Sequence, residues 1–135
     1  MLVGFGGRVS KDSAGNIHAA FQGTGESLML NAHIDTVQPG RGIKPTISDD
    51  KIRSDGTTIL GADNKVAVAA ILEAIQSVVE EKKTHVPLDV VFTVEEELFL
   101  KGAKQFDVRK LRSRRCFSFD AGSTVQDVCL RAPFL

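Results

Sequence analysis

Two apolar runs, SLMLNAH at residues 27–33 and LDVVFTV at 88–94, flank a stretch in which Ala67, Ile71, Ala74, Ile75 and Val78 recur on one stripe at helical spacing. A segment apolar on both alternating faces needs cover on both, as strands of a buried, largely parallel sheet have it. The stripe supplies a helix to provide that cover. Strand, helix, strand in this order predicts an α/β fold with helices packed on a sheet. Residues 17–22 read as an earlier strand, and GTG at 23–25 as the turn of a hairpin-like connection into 27–33. The polar, Pro- and Gly-interrupted stretch 36–61 predicts only short strands, such as 51–53 or 57–60. Asp63 and Asn64 are expected to cap the main helix. Helical segments at 101–106 and 108–112 then lead to a last strand at 116–119.

At 135 residues the chain has the length of one domain, and it can bury roughly two-thirds of the surface its unfolded form exposes. Seventeen basic and seventeen acidic side chains cancel, which argues against broad attraction to nucleic acid or an anionic membrane. The partner is expected to be small or neutral. No apolar run approaches the roughly 20 residues of a bilayer span. The start, MLVGFGGRVS, lacks the basic and apolar regions of a secretory signal, so a cytoplasmic setting is expected. Cys116 and Cys129 are too few for a disulfide framework and lack zinc-knuckle spacing.

The strands end on chemistry. His33 and Asp35 follow the run at 27–33, Glu95, Glu96 and Glu97 follow 88–94, and Asp120 follows 116–119. Carboxylate oxygens with imidazole suit Zn, Mn or Co, and the scarcity of Cys argues against a thiolate site. Taken singly these signals are weak, since HxD is common and an EEE run is usually a solvated acidic face. Their joint order is different: NAHIDTV (31–37), GADNK (61–65), FTVEEE (92–97) and Phe119-Asp120, each leaving an apolar stretch or opening the main helix. Other candidates have simpler readings. His18 and His85 are read as structural or surface histidines, the basic run 109–115 as a solvated segment, and GFGG at 4–7 as too incomplete for a dinucleotide loop.

On those four motifs the chain resembles the M20-type zinc aminopeptidases and carboxypeptidases, most closely their peptidase T-like branch, from about Arg8 to Pro133. The resemblance implies a zinc-exopeptidase-like (phosphorylase/hydrolase-like) mixed sheet flanked by helices. It also implies a di-zinc centre: His33 and Asp120 on one zinc, Asp63 bridging both, Glu97 on the other. Asp35 would orient His33 through its second ring nitrogen. Glu96 would be the general base, with Gly102-Ala103 fixing the register so that Glu95 falls outside the site. In the family the bridging Asp precedes a cis peptide bond, here Asp63–Asn64. Two metals roughly 3.5 to 4 Å apart would acidify a water whose proton the non-ligating carboxylate takes. On an extended segment Glu96 and Glu97 would point to opposite sides.

Two departures accompany the match. Glu97-Leu-Phe-Leu100 puts Phe99 where relatives have a small residue, and the family's further zinc-binding His, after an inserted lid domain, has no counterpart in these 135 residues. The whole chain, 1–135, therefore reads as a partial catalytic domain, with the second zinc held only by Asp63 and Glu97 and so weakly loaded. The implied reaction is removal of N-terminal residues from short peptides. Two alternatives stay open: an amidohydrolase or carboxypeptidase of the same superfamily, and a non-catalytic metal-binding remnant. Surface that a lid would cover predicts self-association into a homo-oligomer.

Overall fold

The computed structural model describes residues 1–120. Its frame is a five-stranded mixed sheet of β1 (Arg8–Lys11), β2 (Ile17–Phe21), β3 (Leu28–His33), β6 (Leu88–Thr93) and β7 (Cys116–Ser118), in the order β1-β2-β6-β3-β7. β3, β6 and β7 run parallel, and β1 and β2 are antiparallel to their neighbours. Helix α1 (Ala62–Glu80) crosses from β3 to β6 and packs over β3, and a short helix α2 (Lys101–Gln105) with a 3₁₀ turn at Val108–Lys110 leads from β6 to β7. A separate hairpin, β4 (Pro45–Ser48) with β5 (Lys51–Ser54), stands off the sheet.

The register explains the core. Ile17, Ala19 and Phe21 lie opposite Phe92, Val90 and Leu88, which in turn lie opposite Ala32, Leu30 and Leu28. All nine share one face, and Ile71 and Ile75 of α1 close over it. Ala74, placed on the helical stripe by spacing, is exposed instead, and Val68 and Leu72 are partly buried. The opposite face carries polar groups. There Asp89 of β6 is buried and receives hydrogen bonds from His18 Nε2 (2.8 Å), the backbone N–H groups of Arg112 and Ser113, and Ser113 Oγ. His18 is thus a structural histidine.

Three expectations are corrected. β2 and β3 are not hairpin partners, because β6 lies between them: it is buried along nearly its whole length, and the centre of the sheet is where such a strand is covered from both edges. The GTG segment instead runs past the chain entering β6, with Thr24 N–H donating to the His85 carbonyl and a Cβ at Gly23 falling 2.4 Å from it. Residues 57–60 are not a strand, since the Asp55 carboxylate captures the Thr57 N–H and hydroxyl in a local turn. Asp63 and Asn64 do not cap α1. Gly61, at φ 69°, holds that position without a side-chain bond, and the two following polar side chains are engaged elsewhere.

β1, fully exposed, had no apolar pattern to mark it. Cys116 forms no disulfide among the described residues, and Cys129 lies outside them. The run 109–115 is an exposed stretch in which Arg109 pairs with Asp107 and Arg115 with Glu26. No helix among the described residues is long and apolar enough to cross a membrane.

Candidate metal centre

His33 ends β3 with its ring buried, 3% exposed, and carboxylates face both of its nitrogens. Nδ1 lies 3.4 Å from Asp35 Oδ1, while Nε2 lies 3.0 Å from Asp63 Oδ1 and 3.8 Å from Asp120 Oδ1. Three chain segments deliver these groups: the exit of β3, the distorted start of α1 and the exit of β7. Asp63 and Asn64 depart from helical geometry inside that first turn, and the bond between them is cis, as the resemblance implied.

Asn64 is a site residue that the motif reading misassigned. Its buried side chain donates to the Phe119 carbonyl at 2.6 Å, joining the start of α1 to the segment that carries Asp120. Asn31 adds a second tie, its side-chain oxygen accepting from Ser118 Oγ while its amide donates to Val91. Lys65 Nζ donates to the Ile34 carbonyl between His33 and Asp35. Each works through a backbone carbonyl or a distant strand, so local sequence carries no signal of it.

Glu96 and Glu97 sit in a turn rather than on an extended segment, closed by Leu100 N–H to the Glu96 carbonyl and Lys101 N–H to the Glu95 carbonyl. Their carboxylates therefore do not diverge: each offers an oxygen within 4.8 Å of the other and of a His33 nitrogen. The Glu97 N–H also donates to Asp35 Oδ2. Glu95 turns away and pairs with Lys101. Gly102 makes this packing feasible, since a Cβ there would sit 2.0 Å from the Val94 carbonyl oxygen at the end of β6. The buried Asn16 fixes the same junction, donating to the Gly102 carbonyl and accepting from Val94 N–H. Past the two acids, Phe99 and Leu100 have φ of 61° and 60°, a conformation costing of order 1 kcal/mol or more per bulky residue. Glu96, Glu97, Phe99, Leu100 and Lys104 line an open cavity of about 490 Å³.

Two groups of metal-capable atoms emerge, His33 with Asp63 and Asp120, and His33 with Glu96 and Glu97; they meet at His33. Burial raises the Glu96 carboxyl above its ordinary value; His33 pulls it down, and Asp120, Glu97 and Asp35 push it up. A cation fits this arrangement. His33 Nδ1 and Asp35 Oδ1 are both buried and without a hydrogen-bond partner at 3.4 Å. His33 Nε2 is within hydrogen-bond distance of Asp63 Oδ1, and a neutral ring that directs its one N–H toward Asp35 instead presents a lone pair to Asp63 and Asp120, an arrangement that a cation between them would satisfy. Imidazole nitrogen with carboxylate oxygens is a donor set that binds zinc.

The comparisons with known proteins agree. The family model for peptidase family M28 matches residues 16–122, and the chain belongs to that family. Among individual relatives, the Bacillus subtilis protein YqjE is 35% identical over 127 residues, covering 93% of this chain and 34% of its own length. Peptidase T of Aliivibrio salmonicida is 36% identical over 101 residues, 73% of this chain and 24% of the relative. Of solved structures, aminopeptidase PepT from Bacillus cereus superposes with a TM-score of 0.84 at 35% identity, over 89% of this chain and 35% of that one. A tripeptidase from Staphylococcus aureus gives 0.85 at 37%, over 90% and 36%. The M20 peptidase T-like resemblance drawn from the motifs is carried by these relatives, while the matching family model is that of M28. The chain spans between about a quarter and a third of the length of these relatives.

Proposed function

We propose that the chain carries part of the catalytic domain of a metal-dependent peptidase that removes N-terminal residues from short peptides. The observation behind this is the His33 ring, with carboxylates facing both nitrogens beside an acid whose proton affinity is raised. Relatives titled aminopeptidase and tripeptidase support the same reading. His33, Asp63 and Asp120 would hold one zinc, and Asp63 with Glu97 a second, more weakly, because two protein ligands are fewer than the usual three or four. Bound zinc supplies Lewis-acid polarisation of a carbonyl and lowers the pKa of water.

The remaining work falls to the protein's own groups. Asp35, 3.4 Å from His33 Nδ1, would accept the ring N–H there and so fix the tautomer that leaves Nε2 free as a ligand. Glu96 takes a proton at its carboxylate and returns it to the leaving amine, a role for which a raised pKa is favourable. Metal analysis of the purified chain together with a tripeptide hydrolysis panel tests this. Bound zinc is expected, with turnover falling about 10²- to 10⁴-fold in Glu96→Gln while zinc content stays unchanged. One bound zinc and no turnover in the unaltered chain would favour a metal-binding module without catalysis.

A further inference from the structure

The turn after Glu97 places two successive bulky residues in the left-handed region of the backbone. Phe99 adopts a left-handed backbone at φ 61°, which a bulky residue rarely does, and its side chain is 89% exposed and outside the packed core. A strained backbone that displays an aromatic ring to solvent points to a role in binding rather than in packing. The ring and Leu100, also at positive φ and half exposed, line the same cavity as Glu96 and Glu97. The cavity thus sets these two apolar side chains beside the charged Glu96, Glu97 and Lys104.

We propose that Phe99 and Leu100 form a side-chain subsite for an aromatic or branched aliphatic residue beside the bond to be cleaved, so that the preferred substrates are short peptides carrying such a residue. This rests on the peptidase reading above. The open cavity of about 490 Å³ has room for one large side chain together with neighbouring backbone, and Glu96 and Glu97 line it beside Phe99 and Leu100.

The test titrates the zinc-loaded chain carrying Glu96→Gln, which keeps peptides intact, with Gly-Gly-Gly, Phe-Gly-Gly and Gly-Phe-Gly in a calorimeter. One phenylalanine peptide is expected to bind about ten-fold more tightly than triglycine, the scale for partly burying such a ring. In the added presence of Phe99→Ala the ratio should fall to two-fold or less. Phe99→Gly should lose the preference equally yet melt above Phe99→Ala, since glycine accepts the left-handed backbone without strain. A preference that survives Phe99→Ala, equal or absent binding of all three peptides by zinc-loaded protein, or an alanine variant that melts above the glycine one would each overturn the subsite. Failure to bind zinc would instead sink the peptidase reading on which it rests.

Discussion

A single amide illustrates how the centre is held. Asn64 belongs to neither group of metal-capable residues, yet its 2.6 Å bond to the Phe119 carbonyl fixes the backbone one residue before Asp120, while its own neighbour is Asp63. Two candidate ligands far apart in the sequence, Asp63 and Asp120, are thereby kept at their distances from His33. Groups that orient ligands in this way typically contribute 10- to 100-fold to metal affinity. Asn64→Ala is expected to weaken zinc binding by about that factor, read by competition with a chromophoric chelator, and an unchanged affinity would refute the role. Residue chemistry was the most legible level in the sequence. His33, Asp35, Asp63, Glu96, Glu97 and Asp120 follow apolar runs or open the helix, and the structure gathers the other five around the His33 ring. Asn64 was legible only as a polar residue at a helix start, because its partner lies 55 positions away.

Among the elements, β2, β6 and the segment before β7 are pinned together by Asp89. Burial alone would raise its carboxyl, but hydrogen bonds from His18 and Ser113 and the N–H groups of Arg112 and Ser113 outweigh that and hold it below its ordinary 3.8. Since the folded value lies below the unfolded one, Asp89 stabilises the fold fully above pH 3.8, and that contribution disappears as pH falls through the lower folded value. The melting temperature is expected to drop on acidification below about pH 4. Asp89→Asn should lower stability at pH 7 by about 2–3 kcal/mol and flatten the acid limb; an acid limb as steep as the parent's would contradict this. The elements themselves were largely foreseeable from period and apolar content. Their pairing was not: hairpin-like continuity between β2 and β3 is the local solution, and it loses to a non-local one because β6 is buried through almost its whole length and has to be central.

For the molecule as a whole, the sheet has unequal borders. β1 and β7 are its outer strands, and β7 presents Phe117 at 43% exposure, with Phe119 just beyond at 42%. Among the described residues the outer edge of β7 has no strand beside it, and apolar edge strands recruit other chains. Concentration-dependent self-association in sedimentation velocity is expected, reduced by Phe117→Lys; a single monomeric boundary at millimolar protein would refute it. The central position of β6 has another consequence. His18 and Asp89, partners in the finished sheet, are 71 positions apart, and both neighbours of β6 precede it in the chain. On the ribosome β2 and β3 therefore emerge with no strand between them to join, and β2, β6 and β3 can pair only after residue 93 has cleared the exit tunnel.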